Sequence, residues 1–142
     1  MSSTLRAFLV VGALLASACV VSLLTFDSFC KLDATSKFPS SSSAYLATVE
    51  SFSCLLPNEL RTTVLISSQN KSLYGGVSPL VFVATPPDWL NGTNNVPVPV
   101  HLEWFGDDEL RISYPKGTRV RSQMASVNNI NILFKEVAQT AP

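Results

Sequence analysis

The chain of 142 residues lacks most of the chemistry that enzymes use. Its single histidine, His101, cannot build a histidine-based metal site, and its three cysteines are too scattered to complete one. No Gly-x-Ser-x-Gly motif places a nucleophilic serine on a sharp turn, and no Cys-x-x-Cys motif forms a redox pair. We therefore predict a protein that is not an enzyme and that needs no metal and no cofactor.

The chain also lacks any concentration of charge. Ten Lys and Arg residues balance ten Asp and Glu residues, and the basic ones are scattered along the sequence. A nucleic-acid partner needs a dense basic patch to displace counterions, so none is predicted. The residues after position 26 show neither a helical period of useful length nor an internal repeat. We therefore expect this part of the chain to be built from strands.

One stretch, Ala7–Phe26, has no charged residue at all. About 20 apolar residues at a rise of 1.5 Å span the hydrocarbon core of a bilayer, and Arg6 supplies a small positive flank for the cytoplasmic side. We therefore predict that this segment is a signal anchor, which makes the chain a single-pass membrane protein.

Two other interpretations of this segment remain open. Ala16-Ser17-Ala18 has the small-x-small form of a signal-peptide cleavage site, so the domain could be secreted after cleavage. Cys19 follows directly and could carry a lipid anchor. The run Val20–Phe26 stays apolar beyond either cut, which favours the retained anchor. All three interpretations place the globular part outside the cytoplasm.

The clearest piece of structure in the sequence is Pro97–Tyr114, which reads PVPVHLEWFGDDELRISY. Apolar residues alternate with others on both sides of the turn residues Gly106-Asp107-Asp108. Such alternation around a short Gly/Asp turn predicts a β-hairpin with one buried face. We expect Trp104 and Tyr114 on the buried face and Phe105 on the opposite one.

Other segments rich in β-branched or apolar residues are also predicted as strands. They are Ala44–Phe52, Arg61–Ser68, Leu80–Ala84, Thr118–Ser122 and Asn129–Phe134. The predicted fold class is all-β, a small sandwich or a curled antiparallel sheet, preceded by one N-terminal transmembrane helix. The predicted organisation is an anchor over 1–26, a linker over 27–43, an extracytoplasmic β domain over 44–136 and a frayed tail over 137–142.

Cys30 and Cys54 both follow the apolar segment and would lie in a compartment where disulfides persist. A bond between them would close a loop of about 24 residues and contribute roughly 3 kcal/mol in the chain-entropy model. We predict this disulfide, with two buried thiols as the alternative.

Several exposed side chains are candidate contact residues. Phe105, beside a turn, and Trp89, in a loop, are predicted to contact a partner. Lys116, Arg119 and Arg121 form a small basic group that could contact an anionic lipid or a phosphate. The alternative for the basic group is a solvated edge strand, whose charges discourage strand addition.

The acidic residues Glu103 and Asp107–Glu109 form one cluster in the sequence. Paired carboxylates can bind Ca²⁺ or perform acid–base catalysis, but aspartate is also favoured in turns, and the hairpin needs a turn. We predict a turn here and no metal site. Asn70-Lys71-Ser72 and Asn91-Gly92-Thr93 match the glycosylation sequon, which matters only in a eukaryotic host.

Two stretches resemble signatures of a family of small bacterial envelope proteins, membrane-anchored or lipoprotein-like and of unknown function. The first is SSSSAYLATVESFSC, Ser40–Cys54, where the family has a Ser-Pro-Asp-Gly-Lys-Tyr turn, a strand and a Cys. The second has the form W-x-G-x-x-x-L-x-I-x-Y-P and runs from Trp104 to Pro115. The family also has an upstream Cys, in the place of Cys30. This chain departs from the family pattern at Ser41-Ser42-Ser43, in place of Pro-Asp-Gly, and at Leu55, in place of Gly.

The resemblance runs from Cys30 to Phe134, and it implies a bacterial envelope location and no activity. We therefore expect a protein of the bacterial inner membrane whose β domain is an interaction or structural module for an unidentified envelope protein. The alternative is a periplasmic domain that binds a small ligand or lipid in a pocket lined by aromatic side chains, with the basic group at its mouth. A hydrolase has the least support, because it would need Glu103, Asp108 and His101 to converge in one cleft.

Overall fold

The computed structural model describes residues 29–55, 58–69, 78–87 and 96–138. Within these ranges the chain forms strands and no α-helix. The strands are β1 Cys30–Pro39, β2 Tyr45–Leu55, β3 Asn58–Ser68, β4 Leu80–Thr85, β5 His101–Phe105, β6 Glu109–Pro115, β7 Arg119–Gln123, β8 Ser126–Val127 and β9 Ile130–Val137. The prediction of an all-β fold is confirmed.

The strands form two sheets that enclose one core. The first sheet has the order β1-β2-β3-β4-β7, and the second has the order β5-β6-β9-β8. Neighbouring strands are antiparallel except β6 and β9, which run parallel. The fold is therefore β-sandwich-like, with both edges of each sheet formed by a strand that has one neighbour.

Apolar side chains from both sheets meet in the core. The fully buried ring of Phe82, on β4, lies 5.1 Å from the ring of Tyr114 and 5.8 Å from that of Phe134, between ring centroids. Tyr114 and Phe134 belong to the second sheet, so this aromatic cluster joins the two layers. Aromatic pairs at such spacing contribute beyond the area they bury.

The hairpin predicted over Pro97–Tyr114 is present as β5 and β6. Trp104 pairs with Leu110 across the turn, and Gly106 takes a φ of 71° that a glycine adopts without strain. Strand pairing begins only at His101, because Pro97 and Pro99 lack the N–H groups that a strand donates. The other predicted strands are also present as β2, β3, β4, β7 and β9.

The predicted linker over 27–43 is wrong for most of its length, because Cys30–Pro39 forms β1. The side chains of β1 are mostly exposed on both faces, so its sequence carries no period-2 apolar pattern. Its strand conformation comes instead from its pairing with β2. Two boundaries also differ, since β3 begins at Asn58, three residues before the predicted strand, and β9 continues to Val137, three residues beyond its predicted end.

The predicted transmembrane helix, Ala7–Phe26, and Cys19 within it lie outside the described residues. Among the residues that are described, no helix is long and apolar enough to cross a bilayer. Trp89 and both glycosylation sequons also lie outside the described ranges in whole or in part.

Candidate functional site

The longest open edge in the described part of the fold belongs to β1. β1 has ten residues and pairs only with β2, whereas the other edge strands β5, β7 and β8 have five, five and two residues. An unpaired strand edge presents a row of N–H and C=O groups that another extended segment can pair with. The edge of β1 is therefore a ready-made site for strand addition.

The direction of the backbone groups on β1 follows from its pairing with β2. The amide of Ser40 donates to the carbonyl of Tyr45 at 2.9 Å, at the end of the β1–β2 ladder. Hydrogen-bonded and non-hydrogen-bonded pairs alternate along antiparallel strands, and the register is regular from Ala34 to Pro39. The backbone groups of Thr35, Lys37 and Pro39 therefore point toward the open edge.

The open edge also carries features that limit uncontrolled pairing. The register shifts between Leu32 and Ala34, which leaves Asp33 as an extra residue in a bulge. Lys31 and Lys37 add charge, and Pro39 has no N–H at a position that faces the open edge. The segment around Thr35 and Lys37 is therefore the part of the edge that remains suited to pairing.

One end of β1, which we call the turn end, comprises Phe38–Ala44 together with the hairpin turn Gly106–Asp108. The indole Nε1 of Trp104 donates to the carbonyl of Phe38 at 3.0 Å, across the two sheets. The amide of Ser42 donates to the carboxylate of Asp107 at 3.0 Å. These hydrogen bonds tie β1 to the second sheet at this end.

Hydrogen bonds also change the acidity of Asp107. The hydroxyl groups of Ser40 and then Ser42, followed by the Ser42 amide, hold the pKa of the Asp107 carboxyl below its ordinary value. The acidic cluster thus forms the hairpin turn, and its Asp107 connects that turn to the segment after β1 through hydrogen bonds. Ser43, in this segment after β1, has a φ of 61°, in the left-handed region that glycine adopts most readily.

The opposite end of the first sheet, which we call the projecting end, comprises 29–35, 50–55 and 58–61. Among the described residues of these ranges, none belongs to the cluster of buried apolar side chains that fills the sandwich. The predicted disulfide is present here, between Cys30 and Cys54, which face each other across β1 and β2. It links the first residue of β1 to β2.

Apolar side chains surround this disulfide and face solvent. Leu55 is 74% exposed, Leu32 is 48% exposed and Phe29 is 40% exposed. Phe29 and Leu55 each adjoin a disulfide cysteine in the sequence, and together with the disulfide they line a groove of about 410 Å³. Exposed apolar groups this close together indicate a contact surface rather than scattered surface leucines.

Phe105 lies on the outer face of the second sheet, as predicted, and is 37% exposed. The guanidinium of Arg111 lies 4.3 Å from the centre of its ring, and the same guanidinium is 3.3 Å from the Glu103 carboxylate. Part of the Phe105 ring is thus covered by a cation–π contact within the domain. This makes Phe105 a less available contact than the exposed groups of the projecting end.

The predicted basic group is divided between a turn and a strand. Lys116 lies in the turn after β6, and Arg119 and Arg121 lie in β7. Arg121 and Arg61 each have a nitrogen 3.3 Å from the Glu59 carboxylate. The positive charge of Arg121 is therefore partly balanced by an internal partner.

A second groove, of about 400 Å³, brings together one predicted aromatic residue and one predicted basic residue, Tyr114 and Arg121. Glu136 also lines this groove, and its negative charge works against binding of an anion. Burial, and to a smaller extent the charge of Glu136, raises the pKa of the Tyr114 hydroxyl. The groove therefore gives the ligand-binding alternative little support.

The residues that a hydrolase would need do not converge. His101 is exposed at the start of β5, whereas Asp108 lies in the turn beyond the other end of that strand. Four further residues of β5 separate His101 from that turn, which is about 13 Å at the rise of a β-strand. Within the described ranges, no three residues among His, Cys, Asp and Glu form a group that could hold a metal ion.

Neither the open edge of β1 nor the exposed apolar group around Phe29 and Leu55 was among the sites predicted from the sequence. One available signal was the alternation of Lys31, Asp33 and Lys37 before Pro39, which is typical of a protected edge strand. A second was the pair Leu55-Leu56 directly after Cys54. No family model, no curated protein and no solved structure matches this chain.

Proposed function

We propose that this chain is a membrane-held module of the bacterial envelope that binds an extended segment of a partner protein along the open edge of β1. The segment Ala7–Phe26 holds the chain in the membrane as a signal anchor, and the sandwich lies on the extracytoplasmic side. The protein acts by binding and not by catalysis. The observation that carries this proposal is the ten-residue open edge of β1.

The edge is held in place at both of its ends, which favours a binding role. The Trp104 and Asp107 hydrogen bonds fix the turn end, and the Cys30–Cys54 disulfide fixes the projecting end. Between them, β1 is exposed on both faces. An edge that is already extended loses little conformational entropy when a partner strand adds to it.

The side chains of β1 also suit a polar, specific partner. From Ala34 to Lys37 the sequence is Ala-Thr-Ser-Lys, without a large apolar residue. Backbone hydrogen bonds would therefore supply most of the affinity, and the partner's charge would complement Lys37. Asp33 in the bulge would select the register, because it interrupts pairing on one side of this segment.

The test uses a photoreactive benzoylphenylalanine in place of Lys37 in the full-length protein, in cells. The yield of partner cross-linked at this position is then compared between two variants, Thr35→Pro and Thr35→Ala. Proline removes the Thr35 N–H that points to the open edge, but it leaves the bonds to β2 in place. We expect Thr35→Pro to abolish the cross-link and Thr35→Ala to retain it.

A second proline variant controls for damage to the fold. The N–H of Ser36 points to β2, so Ser36→Pro should lower the melting temperature, whereas Thr35→Pro should leave it close to that of the unmodified protein. A partner that cross-links equally well in the folded Thr35→Pro variant would overturn strand addition. Recovery of the full-length protein in the soluble fraction after an alkaline wash of the membranes would overturn the anchor.

A further inference from the structure

The projecting end is directed toward the predicted membrane segment by the chain itself. Phe26 ends the apolar run, and Phe29 follows only three residues later. Three extended residues reach about 11 Å at most. If Ala7–Phe26 spans the bilayer, Phe29 and the disulfide beside it therefore lie within that distance of the membrane surface.

We infer that the tip of the projecting end, formed by Phe29, Leu32 and Leu55, rests in the headgroup region of the bilayer and contacts lipid. This inference rests on the proposed function, since it requires the anchor. It explains why the most exposed large apolar side chain among the described residues, Leu55, lies at the end of the domain nearest that anchor. It also accounts for the exposed apolar lining that Phe29 and Leu55 give to the groove of about 410 Å³ beside the disulfide.

The disulfide organises this contact surface. Cys30 follows Phe29, and Cys54 precedes Leu55, so the bond holds the two apolar side chains at the same end of the sheet. Partial insertion of such side chains at the acyl–headgroup boundary is how interfacial segments bind membranes. The bond therefore does more than close a loop, because it fixes the apolar pair relative to the anchor.

Charge plays little part in this contact. Among the described residues, three basic and three acidic ones surround the projecting end, namely Lys31, Arg61, Arg121, Asp33, Glu50 and Glu59. The two arginines share the Glu59 carboxylate, and the charges of the set cancel. The surface should therefore contact neutral and anionic lipids equally, unlike a polybasic segment that needs anionic lipid.

The contact would also orient the binding edge. β1 runs from the projecting end to the turn end over about 30 Å at the rise of a strand. With one end on the bilayer, Thr35 and Lys37 lie above the headgroups, and the turn end lies farthest from the membrane. The open edge would then face other envelope proteins rather than lipid.

Photocrosslinking of the full-length protein tests this inference. Benzoylphenylalanine replaces Leu55 in one protein and Leu133 in a matched control, because Leu133 is also an exposed leucine but lies on the outer face of the second sheet. The proteins are reconstituted in nanodiscs of neutral phosphatidylcholine or of phosphatidylcholine with phosphatidylglycerol. We expect several-fold more lipid adduct at position 55 than at position 133, and equal yield in the two lipid compositions.

The outcomes separate this inference from the proposed function. Absence of lipid adduct at position 55, in protein that resists an alkaline wash, would overturn the bilayer contact and leave the anchor standing. Adducts to a second copy of the chain or to another envelope protein in cells, without lipid adducts, would overturn it in favour of a protein contact. Loss of the protein from the membrane on washing would overturn the anchor, and the bilayer contact with it. A yield that rises strongly with anionic lipid would contradict apolar insertion.

Discussion

The two ends of β1 are held by different kinds of interaction. At the turn end, hydrogen bonds from Trp104 to Phe38 and from Ser42 to Asp107 connect β1 to the second sheet. At the projecting end, a covalent bond connects β1 to β2 within the first sheet, and the neighbouring apolar side chains remain exposed. A strand that lacks a buried face of its own can therefore be fixed at its two ends by two separate kinds of interaction.

The same comparison explains where a disulfide contributes most. Noncovalent contacts fix a strand where a second layer covers it, as at the turn end. No apolar residue of β1 from Cys30 to Lys37 belongs to the core cluster or packs against it, whereas Phe38 packs against it. The covalent bond therefore lies where packing contributes least, which agrees with the stabilising role of disulfides in small domains.

Removal of the disulfide should have the largest effect on the difference between the two ends of β1. In the chain-entropy model, Cys30→Ala together with Cys54→Ala should lower the free energy of unfolding by about 3 kcal/mol. Hydrogen exchange should rise over Cys30–Leu32 much more than over Phe38–Ser40, because hydrogen bonds still fix the turn end. Urea unfolding and amide exchange of the full chain in nanodiscs measure both quantities.

Reducing agent supplies the control for the cysteine variant. It should lower the stability of the unmodified protein to that of the double variant, and it should leave the double variant unchanged. An equal rise of exchange at both ends would contradict the comparison, because it would mean that the disulfide supports the whole of β1.

Trp104→Phe tests the turn end and has a smaller expected effect. The substitution removes the indole N–H and leaves the Phe38 carbonyl without this donor, which should cost about 1 kcal/mol. Exchange should now rise at Phe38–Ser40, with little change at Cys30–Leu32. Thermal unfolding and the exchange pattern report the two results.

Phe105→Leu is the matched control for the tryptophan variant. Phe105 adjoins Trp104 on β5, but it lies on the opposite face and contacts Arg111. Its substitution should leave the exchange of Phe38–Ser40 unchanged. If both variants raise that exchange equally, the effect comes from general loosening of β5 rather than from the hydrogen bond between the sheets.

The strands that have one buried face could be predicted from the sequence, whereas β1 could not. Leu110, Ile112 and Tyr114 alternate because one face of β6 is buried, so the period of the sequence reports the strand directly. β1 has no buried face, and its strand conformation depends on its pairing with β2. The residues of β1 alone do not reveal that pairing. Cys30–Cys54 could be predicted because only these two of the three cysteines lie outside the apolar segment Ala7–Phe26.

The candidate site was harder to predict because an edge is a property of sheet order. The charges of β1 and its Pro39 are typical of an edge strand, but they do not fix which strand pairs with β1 or on which side the sheet ends. Asp107 shows the same limit: its place in a turn follows from its residue type, but its bond to Ser42 joins residues 65 positions apart. Phe105 was predicted on the correct face, whereas the Arg111 contact that covers it was not.

The dependence of stability on the protonation of Asp107 has the smallest expected effect, and it is the most specific test of the turn end. Hydrogen bonds from Ser40 and Ser42 lower the pKa of this carboxyl in the folded state below 3.8, its ordinary value. A lowered pKa means that the folded state favours the charged form. The resulting stabilisation is therefore present above about pH 4 and is lost as the pH falls through the folded-state pKa.

Asp107→Asn should accordingly lower the melting temperature slightly at neutral pH, and the difference from the unmodified protein should disappear in strong acid. Asp108→Asn is the matched control, because it removes one carboxylate from the same turn without removing the hydrogen bond to Ser42. A difference that persists unchanged in strong acid would assign the effect of Asp107 to turn geometry. If Asp108→Asn reproduced the pH dependence, general charge in the turn would be responsible, and the turn end would then be held chiefly by Trp104.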